Sequence, residues 1–336
     1  MKVRVLIGVC LALAAMAILL PAGPQRNVQA QSQNLTTGSG APPLSNPLKV
    51  ALLKWYKANI VPTEFPVGAG PVGVAFDGAN IWVAGANLTK LRASDGAVLG
   101  TFATGGAGVT FDGANVWVTN GSLVSPAVTK VGASDGKVLG TFSVPGVVPW
   151  WMTFDGANIW IPTSNSNPSG NGTVTKLRAS DGKNLGSFTV GISPEAAAFD
   201  GENVWVTNVG SNTVTKLRAS DGTVLGTFAA GGGPLGICFD GANMWIADQL
   251  GSTVSELRAS DGTLLGTFTV TAQPYGVAFD GEDIWVTGSP QLFELRASDG
   301  RVINAWNPPG TNTTGVAFDG ANIWIAGYNN NKVAKL

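Results

Sequence analysis

The sequence contains no histidine among its 336 residues. This absence excludes Ser-His-Asp and Cys-His nucleophiles, histidine general bases and the usual zinc ligand sets. Cysteine is nearly absent as well, since Cys10 and Cys238 are the only two. Cys238 stands where sister repeats carry Ala75, Ala278 and Ala317, so we interpret it as a small buried hydrophobic residue rather than a reactive thiol.

Charge is also sparse. Asp, Glu, Lys and Arg make up 12% of the chain, and the formal net charge is −1. Lys and Arg form no run, whereas nucleic-acid binding needs a concentrated positive surface that releases counterions. We therefore expect no nucleic-acid partner. No motif for a metal or an organic cofactor is present, and we expect none.

The first thirty residues have the layout of a secretory signal peptide. Lys2 and Arg4 form a basic start, Val5–Leu20 is apolar, and small residues precede Gln31. We expect cleavage after Ala30, a secreted or periplasmic protein, and no stable membrane insertion afterwards. An uncleaved anchor is the alternative, although the apolar stretch falls short of the about 20 residues that a membrane span needs.

Residues 31–58 separate this leader from the rest of the chain. Residues 31–43 are rich in Gln, Ser, Gly and Pro, which predicts a disordered linker. Asn46 then precedes Pro47, a pairing typical of a helix N-cap followed by the first helical residue. We predict one short amphipathic helix over residues 47–58 that packs on the body of the protein.

From residue 59 onward the chain is repetitive. The tripeptide Phe-Asp-Gly occurs seven times, and a Trp follows each Phe by six residues. The Phe residues are Phe76, Phe111, Phe154, Phe199, Phe239, Phe279 and Phe318, and the Trp residues are Trp82, Trp117, Trp160, Trp205, Trp245, Trp285 and Trp324. A second element, Ala-Ser-Asp-Gly, lies between them. A period near 40 residues with several short apolar runs is typical of a β-propeller blade.

Residues 234–270 illustrate how one blade arises. Four short apolar runs are separated by Asp-Gly turns, which predicts four strands and no helix. The last unit stops at Leu336 after a third strand, and residues 60–67 supply the missing fourth. We therefore predict an all-β, seven-bladed β-propeller with four-stranded blades over residues 59–336, closed by its N-terminal strand.

Units such as residues 199–208 followed by 213–222 resemble the NHL and YVTN-type propeller repeats of exported bacterial proteins. The Trp-Val-Thr segment at 205–207 is also similar to the repeat of virginiamycin B lyases. This resemblance covers nearly all of residues 59–336 and implies the propeller fold. The lyase resemblance also implies a histidine base at the centre of the ring. This chain has no histidine, so the activity is not transferred.

Three repeated features are interpreted as structural. The seven Trp residues are expected to wedge between neighbouring blades, since each buries a large apolar area. The Asp of each Asp-Gly pair is expected to form a turn rather than act as an acid catalyst. Lys216, Arg218 and their equivalents on the third strands are expected to be solvated side chains near the rim.

Function is sought where the repeats differ. Both kinds of Asp-Gly hairpin fall on one face of the disc, so the loops of the opposite face, here called the variable face, carry the differences. One residue per blade stands at the start of the innermost strand on that face. This entry ring consists of Val72, Ala107, Trp150, Glu195, Leu235, Tyr275 and Thr314. Trp151 adds a second aromatic residue, and the loop Pro162–Gly172 is the longest on this face.

We predict a binding site on the variable face and assign no catalytic or metal-binding residue. The predicted site residues are Trp150, Trp151, Glu195, Tyr275, Asn208 and Asp248. The expected function is that of a monomeric binding or protein-interaction module for a protein, peptide or carbohydrate ligand. The alternative is a histidine-free lyase or hydrolase that uses Glu195 or Asp248, with or without a divalent cation. A purely structural or cell-surface role is the third alternative.

Overall fold

A computed structural model describes residues 63–308 and 312–336. The described residues form a seven-bladed β-propeller, which confirms the predicted fold. The signal peptide, the linker and the helix over 47–58 lie outside these residues and stay predictions. No helix within the described ranges is both long enough and apolar enough to cross a bilayer.

Each blade is an antiparallel sheet whose strands follow one another from the central axis outward. Strand β1 (Thr63–Pro66) is set apart, because it joins the last blade. Blades 1 and 2 are formed by β2 (Gly73–Phe76), β3 (Asn80–Ala84), β4 (Leu88–Arg92) and β5 (Val98–Phe102), and by β6 (Val109–Phe111), β7 (Asn115–Thr119), β8 (Ala127–Gly132) and β9 (Val138–Ser143). Blade 3 is formed by β10 (Val147–Pro149), β11 (Thr153–Phe154), β12 (Asn158–Ser164), β13 (Asn171–Arg178) and β14 (Asn184–Ile192).

Blades 4 to 7 repeat the plan. Blade 4 is formed by β15 (Pro194–Phe199), β16 (Asn203–Asn208), β17 (Thr213–Arg218) and β18 (Val224–Ala229), with the short 3-10 helix η1 (Val209–Ser211) between β16 and β17. Blades 5 and 6 are formed by β19 (Pro234–Phe239), β20 (Asn243–Asp248), β21 (Thr253–Arg258) and β22 (Leu264–Thr269), and by β23 (Gln273–Phe279), β24 (Asp283–Ser289), β25 (Leu292–Arg296) and β26 (Val302–Trp306). Blade 7 is formed by β27 (Thr313–Phe318), β28 (Ile323–Gly327), β29 (Lys332–Lys335) and β1.

The ring closes through the N-terminal strand, as the sequence predicts. Strand β1 pairs antiparallel with β29, with Phe65 opposite Val333. The Phe65 ring lies 5.6 Å from the ring of Trp324, the same contact that Phe228 makes with Trp205 inside blade 4. The N-terminal strand therefore replaces the outer strand that the last repeat lacks.

The repeated Trp residues wedge between blades, which confirms their predicted role. Trp205 is fully buried in one core cluster with Ile237, Ile246 and Leu257 of the next blade. Trp324 of blade 7 packs in the same way with residues of blade 1, so the contact continues around the ring. An aromatic side chain of this size buries about 150–250 Å² and dominates the energetics of the seam.

The Asp of each Phe-Asp-Gly unit does more than form a turn. Asp240 Oδ1 accepts hydrogen bonds from the backbone N–H groups of Ala242 and Asn243, at 2.8 and 2.7 Å. Its Oδ2 accepts the indole N–H of Trp245 at 2.7 Å. Gly241 has φ of 104°, a conformation that glycine adopts without strain. The turn therefore fixes the orientation of the Trp that enters the next seam.

The expectation that the third-strand lysines are solvated is wrong. Lys216 is only 7% exposed, and its ammonium lies 5.0 Å from the ring centroid of Trp205. Its Nζ donates hydrogen bonds to the carbonyl oxygens of Ala259 (2.7 Å) and Ser260 (3.3 Å) in the next blade. The hairpin of that blade supplies acceptors that the sequence of one repeat does not reveal. Arg218 is exposed and pairs with Asp221, as expected.

The residues that make this lysine contact are Lys90, Lys130, Lys176, Lys216 and Lys335, each reaching a carbonyl oxygen of the following blade. Blades 5 and 6 carry Glu256 and Glu294 at the same position. Glu256 accepts a hydrogen bond from Asn243 of its own blade at 2.7 Å. These two seams are therefore held without the lysine contact.

Cys238 lies on the inner strand of blade 5 and contacts the core cluster between blades 5 and 6. The thiol remains partly exposed by surface area, yet burial by the surrounding protein raises its pKa above the ordinary range, with a smaller contribution from Asp240. A thiol with a raised pKa is a poor nucleophile, in line with the predicted structural role.

Candidate functional site

The inner strands approach each other closely around the axis, and glycine makes this possible in several blades. A Cβ on Gly108 would lie 2.2 Å from the carbonyl oxygen of Trp150, and a Cβ on Gly236 would lie 2.4 Å from that of Tyr275. Each of these glycines directly follows an entry-ring residue. The ring residues are therefore held in place through their backbone, which leaves their side chains free to vary.

Blade 3 departs from this arrangement. Its inner strand is interrupted between β10 and β11, and the interruption contains Trp150 and Trp151. Val148 has φ of 46°, a strained conformation for a β-branched residue. Trp151 donates its backbone N–H to the carbonyl oxygen of Glu195 at 3.1 Å, and it accepts the N–H of Ala197 at 3.0 Å. Strain of this kind clusters at functional sites.

These departures surround one cavity of about 380 Å³ at the variable face. Its aromatic lining comes from Trp150 and Trp151 of blade 3, Tyr275 of blade 6 and Tyr328 of blade 7. The other lining residues are Val72, Glu195, Leu235, Gln249, Asn312 and Thr314. The structure therefore brings four of the predicted site residues, Trp150, Trp151, Glu195 and Tyr275, to one place. Their binding role stays a prediction.

Glu195 provides the acidic group of this cavity. Its side chain remains partly exposed because it lines the opening, yet the protein around it desolvates the carboxyl group. This burial raises the pKa of Glu195 to about 8. Desolvation acts this way because it disfavours the charged form of an acid.

Asn208 and Asp248 do not reach the cavity. Both side chains are buried at the ends of their strands. Asp248 connects two strands of its own blade, whereas Asn208 also reaches the outer strand of blade 3. Asn208 accepts the backbone N–H of Gly191 at 2.9 Å, and Asp248 accepts the hydroxyl of Ser255 at 2.6 Å. Burial raises the pKa of Asp248 to about 6, although the hydrogen bonds from the Ser255 and Thr253 hydroxyl groups oppose the shift. The sequence places both residues near the variable face but does not show that they point into the blade.

The long loop of blade 3 is also shorter than the sequence suggests. Pro162 belongs to β12, which continues to Ser164, and β13 already begins at Asn171. The extra residues lengthen a hairpin, because the two strands continue to pair at Thr163 and Thr173. The tip of this hairpin is not part of the cavity lining.

Three lining residues, Gln249, Asn312 and Tyr328, belong neither to the entry ring nor to the predicted site. Two of them stand four residues after a blade Trp, Gln249 after Trp245 and Tyr328 after Trp324. The sister residues at that position are Ala86, Gly121, Ser164, Val209 and Ser289. This is a second variable position of the repeat, and comparing it across the blades identifies both residues.

A narrow channel of about 150 Å³ adjoins the cavity at Trp151. It is lined otherwise by Gly, Ala, Val, Ile and Met residues of the inner strands. Within the described ranges, no group of three or more Cys, Asp or Glu residues is arranged to hold a metal ion. The described side chains that line the channel are all uncharged, and the acidic group of the site lies at the mouth.

Fold and site together define a seven-bladed β-propeller with an aromatic, acid-containing cavity at the centre of one face. A streptogramin B lyase structure is similar to it, with a TM-score of 0.67 and 18% identity over 82% of this chain and 96% of that chain. A virginiamycin B lyase from Staphylococcus aureus is similar with a TM-score of 0.67 and 20% identity, over 82% and 98%. No protein-family model and no curated protein matches the chain. The likeness shows the fold, while membership among NHL or YVTN-type proteins stays a prediction.

Proposed function

We propose that this protein is a binding module whose ligand, or a side group of a larger ligand, occupies the cavity at the variable face. The observation that carries the proposal is the convergence of Trp150, Trp151, Tyr275 and Tyr328 from three blades on one opening. Ligand pockets are typically concave, mostly apolar and about 300–1,000 Å³ in volume. A cavity of about 380 Å³ falls within that range.

The rest of a larger ligand would lie in an open depression next to the cavity. This depression shares Val72, Trp150 and Tyr328 with the cavity and continues over Gly85 and Asn120 between blades 1 and 2. A peptide or an oligosaccharide would thus bind across the face and insert one group. Aromatic anchors in such positions tend to dominate the binding energy.

A second candidate function is a lyase or hydrolase that uses the same cavity. Glu195, whose pKa is raised by burial to about 8, would serve as a general base near neutral pH. The two similar solved structures are described as lyases, although at 18% and 20% identity. Mass spectrometry of a bound ligand separates the two functions. Unchanged ligand supports the binding module, and conversion to products supports the enzyme.

The binding proposal is tested with small probes of different chemistry. Ligand-observed NMR would compare organic ammonium ions, neutral aromatic alcohols, carboxylates, monosaccharides and short peptides against the wild type and Trp150→Ala. We expect at least one class to bind the wild type and to lose about tenfold or more in affinity in the variant, since the anchor is removed.

The matched control is Leu250→Ala. Leu250 is 70% exposed, stands between β20 and β21 on the same face, and is absent from the cavity lining. Binding should persist in this variant. Failure of every class to bind the wild type, or equal binding to wild type and Trp150→Ala, would overturn the proposal.

We also propose that the protein acts outside the cytoplasm, on the basis of the predicted signal peptide at residues 1–30. Residues from Gln31 onward should form the mature protein. N-terminal sequencing of protein recovered from the periplasm or the medium tests this. A chain that keeps Met1 and stays with the membrane would contradict it.

A further inference from the structure

We infer that the ligand presents an organic ammonium group to the cavity, held between the Glu195 carboxylate and the faces of the surrounding aromatic rings. This inference rests on the proposed binding function and specifies the chemical class of the ligand. Three features of the cavity support it: the isolation of the acid, the aromatic wall, and the position of the cationic side chains of the protein.

The first feature is that the Glu195 carboxyl group has no partner among the residues that the structure describes. No side chain or backbone N–H within the described ranges donates a hydrogen bond to it, and no cation pairs with it. By contrast, Glu64 also lies on an edge strand of its sheet, and its carboxylate is paired with Lys332 at 2.6 Å. A desolvated carboxyl group without a partner costs free energy, and a ligand that supplies a positive charge recovers part of that cost.

The second feature is the aromatic wall. Trp150, Trp151, Tyr275 and Tyr328 surround the opening that contains the acid. A cation within about 6 Å of an aromatic ring is attracted by the negative face of the ring, and quaternary ammonium groups are recognised in aromatic cages of this composition. The protein uses the same interaction internally, where the Lys216 ammonium lies 5.0 Å from the Trp205 ring.

The third feature is that no Lys or Arg of residues 63–308 and 312–336 lines the cavity. The titratable side chains on the elements packed against β15 are Lys176, Arg178 and Cys238. Lys176 donates hydrogen bonds to the carbonyl oxygens of Ala219 and Ser220. Arg178 forms an ion pair with Asp181. Asp200, which follows β15, accepts the indole N–H of Trp205.

Cys238 packs in the seam between blades 5 and 6. Tyr275 and Tyr328 are the titratable groups that line the cavity besides Glu195. Burial alone accounts for the raised pKa of Glu195, with no contribution from a neighbouring charge. The site therefore offers a negative potential to its ligand once the carboxyl group ionises, and cation binding should strengthen as the pH rises toward and above 8.

The test compares two probes of the same shape and different charge. Choline carries a quaternary ammonium, and 3,3-dimethyl-1-butanol replaces its nitrogen by carbon. Calorimetric titration of the full wild-type protein at pH 9 should show choline binding about tenfold or more tightly than the neutral probe. At pH 6 this ratio should be clearly lower, because Glu195 is then protonated and only the aromatic rings still favour the cation.

Glu195→Gln should give this lower ratio at both pH values, while Trp150→Ala should weaken both probes. Glu202→Gln is the matched control, since it removes an exposed carboxylate from the same blade on the opposite face and should keep the wild-type ratio. Melting curves of each variant show that it is folded.

The outcomes separate this inference from the proposed function. Equal affinity of both probes for the wild type, weakened in Trp150→Ala, overturns the ammonium specificity and leaves the binding site. A wild type that binds neither probe but binds a carboxylate, alcohol, sugar or peptide probe from the first experiment also overturns the ammonium specificity and leaves the binding site. Failure of every probe to bind overturns both.

Discussion

The two faces of the disc are made from the same repeat, but one face holds the blades together and the other carries the candidate binding site. On the face of the Asp-Gly hairpins, here called the repeat face, the indole N–H of the seam Trp is bound by the turn Asp in all seven blades. On the variable face, the entry ring holds seven different residue types. Side chains that build a seam must recur in each blade, whereas ring residues are positioned by backbone contacts and are free to differ.

The electrostatics of the two faces differ in the same way. Asp77 on the repeat face is partly desolvated, which favours its neutral form. The hydrogen bonds from the Trp82 indole, Ala79 and Asn80 prevail and lower its pKa overall. In the described part of the chain no such donor reaches Glu195 on the variable face, and burial raises its pKa to about 8. Hydrogen-bond donors therefore stabilise the charged form of the structural acid Asp77, whereas burial favours the neutral form of Glu195.

The largest expected difference between the faces concerns their Trp residues. Trp205→Ala should lower the free energy of unfolding by about 3–5 kcal/mol, because it opens a cavity in the seam between blades 4 and 5. Chemical denaturation followed by circular dichroism measures the change. A loss below about 1 kcal/mol would show that the seam repacks and that the wedge is dispensable.

Asp200→Asn tests the repeat-face carboxylate. Asp200 accepts the N–H groups of Glu202 and Asn203 and the indole N–H of Trp205. The amide of Asn keeps one acceptor oxygen and places a donor where the second acceptor was, so one buried donor loses its partner. We expect a destabilisation of about 1–3 kcal/mol. A melting temperature equal to that of the wild type would contradict the structural role.

Glu195→Gln is the same acid-to-amide change on the variable face. It should change the free energy of unfolding in the opposite direction. The pKa of Glu195 is raised from an ordinary 4.5 to about 8 in the folded state, so the folded protein keeps a proton that the unfolded chain releases. Wild-type stability should therefore fall as the pH rises between these values, by about 1.4 kcal/mol per unit at the steepest.

The Gln variant lacks this titration and should be the more stable protein at pH 8 and equally stable near pH 4. Denaturation curves of both proteins across this range give the difference directly. Parallel pH profiles for wild type and variant would show that the Glu195 carboxyl group is solvated in the folded state.

Lys216→Met examines the lysine contact between blades. Met retains much of the apolar length of Lys but loses the cation over Trp205 and the donors to Ala259 and Ser260. We expect a loss of about 1–2 kcal/mol. Lys137→Met, at an exposed salt bridge with Asp135, is the control and should cost at most about 1 kcal/mol. Equal effects of the two variants would contradict the buried role of Lys216.

Trp150→Ala should have the smallest effect on stability. Ala107 occupies the same ring position in blade 2, so the backbone already accommodates the smaller residue there. Away from packed cores, substitutions usually change the free energy of unfolding by no more than about 0.5 kcal/mol. Thermal melting curves of Trp150→Ala and Trp205→Ala, measured under the same conditions, compare the two effects. A loss as large as that of Trp205→Ala would make Trp150 a core residue.

The architecture follows from the sequence, because the features that define a blade are local and recur. Asp-Gly turns, short apolar runs and the Trp after each Phe predict the blades from any one repeat. The missing outer strand of the last unit then predicts closure by residues 60–67, and the structure pairs Phe65 with Val333. The entry ring follows from the same register, which is why Trp150, Glu195 and Tyr275 could be selected.

Which of these side chains share a site depends on the tertiary structure. Val72 of blade 1 and Tyr328 of blade 7 line one cavity because the ring closes. Lys216 is buried because the next blade supplies carbonyl acceptors. Asp248 does not line the cavity, because its carboxylate accepts a hydrogen bond from Ser255 of the neighbouring strand. The direction of a side chain depends on partners contributed by other strands and blades, and the pattern within one repeat does not contain them.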